Sequence, residues 1–423
     1  MRRTDFAVQA GGMDRDTALL IIVTGRDRPG VTSRLSTVLA EHGARIADME
    51  QVVLRGRLVL GIVVHVTGDT GGLQDALFAV TGRAGMQCEI DVVEAKRMDR
   101  RDPVDRHHVT MLGMPLRPSA IASVTSAIAD LGGNIDRIER LSRYPILSFE
   151  LLVSGISDGA SLKAAVGRAA AEEQVDVAVQ RAGLHRRAKR LIVFDVDSTL
   201  VDGEVIELLA AHAGCADQVA EITSRAMAGE LDFEQSLRQR VALLEGIDES
   251  ALAHVRQHLR LMPGARTVLR TLSRLGYVTA MVSGGFTQVT DDLAVELGVD
   301  HSHANTLEVI DGRLTGRLVG PIVDRAAKAE HLQRIAVEAG IPLSQTVAVG
   351  DGANDLDMLG VAGLGIAFNA KPVVREQAEV ALNVPFLDAV LFLLGITREE
   401  VERADADDPD VDLPAPPPVP LTP

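Results

Sequence analysis

Leu191-Ile192-Val193-Phe194 runs straight into Asp195-Val196-Asp197. Four apolar residues in a row predict a strand buried on both faces, as in a parallel sheet. Side chains two apart on an extended chain point the same way, so both carboxylates can reach one substrate. Three more polar clusters follow: Ser283-Gly284-Gly285 after a second apolar run, Lys328 near a helix start, and Asp351-Gly352-Ala353-Asn354-Asp355 after a third run. So many carboxylates in one crevice need a cation to stay ionised together. Oxygen ligands without histidine or cysteine suit a hard ion that keeps its waters, most simply Mg²⁺. The chemistry this set could do is phosphoryl transfer. Asp195 would attack phosphorus, and Asp197 would protonate the leaving oxygen and later take a proton from water. Lys328, the metal and backbone N–H groups would neutralise the phosphate, with a hydrogen bond from Ser283.

The elements that must position these groups are legible in outline. In open α/β sheets, ligands bind at the carboxyl ends of the strands. Strands are expected at Leu191–Phe194, Tyr277–Val282 and Gln345–Val349, with helices over Thr287–Gly298 and Arg325–Gly340. From Glu204 to Met262 the pattern is helical, which predicts an all-α insertion placed as a cap over the site. Leu307–Leu318 reads as a hairpin turning at Asp311-Gly312.

At 423 residues and 46% apolar content, the chain has room for two or three cores. A net charge of −16 argues against nucleic acid as a partner. Cys88 and Cys215 are the only cysteines, too few for a disulfide framework or a zinc site. No apolar run reaches the roughly 18 residues of a membrane span, and no signal-peptide core opens the chain. The expectation is a cytoplasmic protein without a membrane partner. Residues 1–17 read as a loose leader. The acidic and proline-rich residues 405–423 read as a disordered tail. The basic stretch Arg181–Arg190 reads as a solvated hinge.

Residues 18–97 and 107–183 show the same order of elements, βαββαβ, a ferredoxin-like module repeated. Gly43-Ala44-Arg45-Ile46 and Gly132-Gly133-Asn134-Ile135 occupy matching places. The first copy carries Gly25-x-Asp27-x-x-Gly30 after its first strand. With that loop the pair resembles tandem ACT domains, a family that binds amino acids and regulates an attached enzyme. The resemblance implies a regulatory ligand at Gly25, Asp27, Gly30 and, in the second copy, Gly113, whose loop lacks the aspartate. L-serine is the first candidate. Pairing of ACT sheets across subunits implies a homo-oligomer, a dimer or tetramer.

Residues 184–397 carry four motifs in order: Asp195-x-Asp197-Ser198-Thr199, Ser283-Gly284-Gly285, Lys328 and Gly350-Asp351-Gly352-x-Asn354-Asp355. They resemble the haloacid dehalogenase superfamily, and the fold implied is a Rossmann-like parallel-sheet core with an all-α cap over 204–262. The resemblance implies metal ligands at Asp195, Asp197 (by its backbone carbonyl) and Asp351, with Asp355 in support. It extends to phosphoserine phosphatases through Glu204 and the cap run Met227-Ala228-Gly229-Glu230-Leu231-Asp232-Phe233-Glu234-Gln235-Ser236-Leu237-Arg238-Gln239-Arg240. It implies that Glu204 and Arg240 hold the ammonium and carboxylate of O-phospho-L-serine, under an apolar lid of Met227 and Phe233. Ser283, Gly284, Lys328 and Asn354 complete the substrate-binding set. The implied activity is Mg²⁺-dependent hydrolysis to L-serine and phosphate. Two other readings stay open here: transfer of the phosphoryl group to another alcohol such as homoserine, and an amino-acid-sensing protein with an inactive phosphatase body.

Overall fold

The computed structural model describes residues 16–68, 70–93, 105–409 and 411. The chain divides into two compact units between Val104 and Asp105. Among the described residues no helix is long and apolar enough to cross a membrane.

The first unit is one βαββαβ module. Its strands are β1 (Asp16–Arg26), β2 (Arg45–Leu54), β3 (Arg57–Thr67) and β4 (Gln87–Val93), in the antiparallel order β2-β3-β1-β4. Leu19, Ile21 and Val23 alternate along β1 onto the face covered by two helices, meeting Leu35, Leu39, Leu73 and Leu77. Gly30, at φ 86°, turns the chain from β1 into the Val31–Glu41 helix in a conformation that favours glycine.

The second unit opens with the repeat. Strands β5 (Arg106–Gly113), β6 (Asn134–Ser142), β7 (Leu147–Ser154) and β8 (Asp176–Arg181) form the matching order β6-β7-β5-β8. A seven-stranded sheet follows, from β9 (Leu191–Phe194), β10 (Val278–Phe286), β11 (His301–Ile310), β12 (Arg313–Val319), β13 (Thr346–Gly350), β14 (Gly365–Phe368) and β15 (Val380–Leu382). Its order is β12-β11-β10-β9-β13-β14-β15. β9 is central and pairs in parallel with β10 on one side and β13 on the other. Every residue of β9 is buried, as its unbroken apolar run requires.

Four helices, Val205–Ala213, Ala216–Met227, Phe233–Ala242 and Ser250–His258, form the insertion after β9. Leu209, Leu237, Val241 and Leu252 pack inside it, and this cluster continues into Leu307 and Leu314 of the β11–β12 hairpin. The hairpin turns at Asp311 and Gly312, both at positive φ. Gly246 N–H donates to the Leu314 carbonyl at 2.8 Å, and Leu314 N–H donates to Ile247 O at 2.9 Å. The insertion is therefore fastened at two places, its own stem and this hairpin.

Three expectations are corrected. The basic stretch is solvated only in part, at Arg181, Arg187 and Arg190. Arg186 is buried against Glu150, and Lys189 is buried with its ammonium donating to Ser344 O (2.8 Å) and Gly363 O (2.6 Å). Burial pulls the Lys189 pKa down to about 8. The tail does not start at Asp405, which lies in the Arg398–Ala406 helix and is buried between Arg270 and Arg274. That helix has a capping box from Thr397 and Glu400. The leader gives up Asp16 and Thr17 to β1. Residues 1–15, and 410 and 412–423 of the tail, lie outside the described residues.

Candidate active site

The three inner strands of the large sheet end side by side. Phe194 of β9 is in register with Met281 of β10 and Val349 of β13. Asp195 follows directly, its N–H donating to Val349 O at 2.8 Å. Ser283 lies within β10, and Asp351 follows the last residue of β13. Parallel pairing alone thus brings the first, second and fourth motifs to one edge.

Lys328 enters from the first turns of the Arg325–Glu338 helix, which Asp324 caps. Its side chain is fully buried, with Nζ 2.8 Å from Asp195 Oδ1 and 2.6 Å from Asp355 Oδ1. Burial works against the Lys328 charge, but Asp195 and Asp355 outweigh it and raise its pKa. One ammonium cannot neutralise the whole cluster. One carboxylate oxygen each from Asp195, Asp351 and Asp355 lies within 4.8 Å of the others. Burial, then Asp355, pushes the Asp351 carboxyl up to about 7. Asp195 is raised as well, by burial first and the Asp355 charge second. An oxygen-only trio in which Asp195 and Asp351 are driven toward protonation in this way is a donor set that fits a hard divalent cation.

Asp197 is held at both oxygens. Val205 N–H donates to Oδ1 at 2.8 Å, and the Ser283 hydroxyl donates to Oδ2 at 3.1 Å. Burial raises its pKa despite the Val205 bond. Gly285 N–H donates to Ser283 Oγ at 2.7 Å, which turns the single Ser283 proton toward Asp197 Oδ2.

A cavity of about 590 Å³ opens over these groups. Its floor includes Asp195, Asp197, Asp351 and Asn354, and Glu204, Phe233 and Arg240 enter from the insertion. Phe233 starts its helix directly over the second motif, where a Cβ added to Gly284 would come 3.1 Å from Phe233 Cζ. Arg240 is buried, and its Nη1 stands 3.7 Å from Glu204 Oε2. Burial first, then Glu207, raises the Glu204 pKa, against the pull of Arg240 and Lys371. Burial lowers that of Arg240, against the charge of Glu204. Arg238, the neighbour that sequence could confuse with Arg240, is exposed and paired with Glu234 at 2.7 Å. Met227 ends the Ala216–Met227 helix, and its side chain lies outside those described.

The structure adds contacts that the motifs did not supply. Asn305 of β11 is buried; its Nδ2 donates to Gly284 O at 2.9 Å and its Oδ1 accepts Val323 N–H at 2.8 Å. It therefore ties the Gly284–Gly285 peptide to the segment that leads into the Lys328 helix. The Thr199 hydroxyl donates to Asp351 Oδ1 at 3.2 Å. Lys371 and Val374 line the cavity from the Pro372–Gln377 helix and its cap. Asn305 stands in the polar run His301-Ser302-His303-Ala304-Asn305-Thr306, where nothing in the pattern set it apart, and Lys371 offered no signal either.

The four regulatory candidates stand outside this cavity. Gly25 lies at the end of β1, where a Cβ would meet Met86 Cγ at 2.9 Å, and Asp27 N–H donates to Gly56 O at 2.8 Å. Gly113 ends β5, where a Cβ would come 3.0 Å from Leu116 Cα. Close packing is enough to require glycine at both places.

Residues 192–360 match the haloacid dehalogenase-like hydrolase family, and residues 17–91 and 105–180 each match ACT domain families. The chain is 56% identical to a phosphoserine phosphatase of Streptomyces coelicolor over 394 residues, 92% of this chain and 95% of that protein. It is 52% identical to one from Mycobacterium tuberculosis over 401 residues, 94% of this chain and 97% of the relative. Among solved structures, an unliganded probable phosphoserine phosphatase from Vibrio cholerae superposes with a TM-score of 0.55 at 32% identity, over 70% of this chain and 88% of that one.

Proposed function

The chain belongs to the phosphoserine phosphatase family of haloacid dehalogenase-like hydrolases, and we propose that it hydrolyses O-phospho-L-serine to L-serine and phosphate. The observation that carries the substrate is the Glu204–Arg240 pair facing the Asp195–Asp197 floor across one cavity. An anionic and a cationic side chain can grip an ammonium and a carboxylate, and a guanidinium reads a carboxylate by two parallel bonds.

Asp195 is the nucleophile in this reading. Its Oδ1 accepts Val196 N–H at 2.7 Å and the Lys328 ammonium, which leaves Oδ2 to attack phosphorus. The new bond is Asp195 Oδ2–P, and the bond that breaks is the ester P–O, giving an aspartyl-phosphate. Asp197, its pKa raised by burial, gives its proton to the departing serine oxygen. Water then attacks the aspartyl-phosphate, Asp197 takes its proton, and phosphate leaves with Asp195 restored. Lys328 and the Ser283 hydroxyl hold the phosphoryl oxygens, beside Gly284 and Asn354. Asp195, the Asp197 carbonyl and Asp351 would hold Mg²⁺, with Asp355 in support, and the ion would supply positive charge against the phosphoryl oxygens. Phe233 closes the apolar lid and sheds water before transfer.

The two ACT domains support regulation by an amino acid, with L-serine the first candidate at Gly25, Asp27, Gly30 and Gly113. In this reading the protein is a cytoplasmic homo-oligomer.

Phosphate release is measured with Mg²⁺ from phosphoserine, phosphothreonine, phosphotyrosine and p-nitrophenyl phosphate, each with and without L-serine. The expected result is a strong preference for phosphoserine, abolished in Asp195→Asn. Full activity of that variant, or turnover indifferent to the amino-acid part, would overturn the reading. Added homoserine that captured phosphate would instead show transfer.

A further inference from the structure

The second ACT module is joined to the wall of the substrate cavity, and the joint runs through one carboxylate. Asp176 opens β8, the edge strand of that module's sheet, and is buried. Its Oδ2 accepts the backbone N–H of Asn383 at 2.6 Å, and its Oδ1 accepts Asn383 Nδ2 at 2.7 Å. Asn383 follows the last residue of β15. On its other side, Asn383 Oδ1 accepts from Arg375 Nη1 at 3.1 Å. Arg375 belongs to the Pro372–Gln377 helix, whose Val373 and Val374, with Lys371 at its cap, line the cavity.

The same segment is held at both ends. At its entry, Asn369 N–H donates to Leu382 O at 2.7 Å, directly before Asn383. At its exit, Lys163 of the second ACT module donates from Nζ to Ala378 O at 3.3 Å. This helix has only six residues and no side-chain cap of its own. So short a helix has little stability in isolation, and its place depends on what it is bonded to. Two of those bonding groups, Asp176 and Lys163, come from the ACT module.

We propose that Asp176 is a positioning residue for the phosphoserine pocket: acting through Asn383, it fixes the Lys371–Val374 wall opposite Glu204 and Arg240. The second ACT domain is then part of the scaffold of the active site. A ligand that displaced β8 would move this wall, and the coupling would be read in substrate affinity before chemistry. Lys371 stands where its charge acts on Glu204, so a displaced wall alters the grip on the amino-acid end of the substrate. The nucleophile's own bonds, to Val196 and Lys328, are made elsewhere. The inference rests on the phosphoserine reading above.

The test uses the full-length enzyme with Mg²⁺ and phosphoserine. Asp176→Asn loses one of the two acceptors, and Asn383→Ala, at an exposed position that threatens folding less, loses both side-chain bonds. Each should raise KM roughly tenfold, the scale of one hydrogen bond to a charged group, with kcat within about twofold. The double variant D176N/N383D exchanges the amide and the carboxylate. The amide on β8 can still accept the backbone N–H after β15, and the carboxylate after β15 can accept from both that amide and Arg375. The exchange should return KM to within about twofold of wild type, a rescue that mere loosening of the fold would not give. Unchanged KM in Asn383→Ala, an equal loss in kcat, or a double variant worse than either single one would overturn the proposal. Wild-type protein that failed to turn over phosphoserine would instead refute the substrate reading.

Discussion

Arg240→Ala offers the sharpest division between a residue that reads the substrate and one that packs the cap. The guanidinium is buried, and its neighbours are Glu204 at 3.7 Å and the Ser236 carbonyl, to which Nε donates at 3.4 Å. Neither contact uses the full fork of donors. A substrate carboxylate can take two charge-assisted bonds there, each contributing about 1.5–3 kcal/mol. Allowing for imperfect additivity, the variant should lose about 3–4 kcal/mol of transition-state stabilisation on phosphoserine, or roughly 100- to 1,000-fold in kcat/KM. Phosphoethanolamine keeps the phosphate and the ammonium and lacks the carboxylate, so its kcat/KM should fall by less than roughly tenfold. Phosphate release from the two substrates, compared in wild type, Arg240→Ala and Arg240→Lys, measures the difference directly. Lysine keeps the charge without the fork and should fall between the other two. Equal losses on both substrates would refute the reasoning, since they would mean that Arg240 shapes the cap without touching the carboxylate.

Lys328→Met removes the buried cation between Asp195 and Asp355 and should lower unfolding free energy by about 3–5 kcal/mol without divalent metal; an unchanged urea midpoint would refute the charge balance drawn here, and Mg²⁺ should raise the variant's midpoint more than the wild type's. Asn305→Leu leaves Gly284 O and Val323 N–H without their partner, so stability should drop by about 2–4 kcal/mol and turnover by at least roughly tenfold; full kcat would show that the Gly284–Gly285 peptide holds itself. Burial favours protonated Asp405, but its bonds from Arg270 and Arg274 outweigh that and lower its pKa. The stability it adds is therefore present above the usual carboxylate value and is lost as pH falls through the lowered one. Asp405→Asn should cost about 1–2 kcal/mol near pH 7, a difference from wild type that shrinks in acid unfolding titrations.

The carboxylate floor of the cavity was legible because each of its groups follows an apolar strand, and parallel pairing needs nothing more to bring strand ends together. Cap residues could be placed only through resemblance, since the 3.7 Å approach of Arg240 to Glu204 joins helices that local periodicity does not orient. Asn305 was missed because its partners, Gly284 and Val323, lie about twenty residues away on either side and meet it only when β10 and β11 pair. The reading of Arg181–Arg190 failed at two of its residues for a related reason. Composition says solvent, but Arg186 finds Glu150 and Lys189 finds Ser344 and Gly363, all contacts made by the tertiary fold. Asp405 was a different kind of miss. Thr397-Arg398-Glu399-Glu400 carries the spacing of a capping box, so a helix start just before the supposed tail was visible and outweighed by its acidic composition.

The duplicated ACT pattern shows how far one sequence signature can diverge in use. Both copies bury an alternating apolar face under two helices. The opposite face differs. In the first copy Val52 and Val59, paired across β2 and β3, stand exposed. In the second, Thr110, Leu112, Ser148 and Ala178 are buried, Leu112 and Ala178 within the core of the large sheet. Gln180 Nε2 donates to Leu393 O at 2.9 Å from the same strand as Asp176. The helix-covered cores explain why both copies fold as ACT modules; the outer faces explain why they need not act alike. This face, packed on the phosphatase core and bonded through Asp176 to Asn383, holds the second copy against the end of β15. It follows that conformational change in the second copy cannot be confined to it, because β8 cannot shift without breaking bonds that also hold the cavity wall.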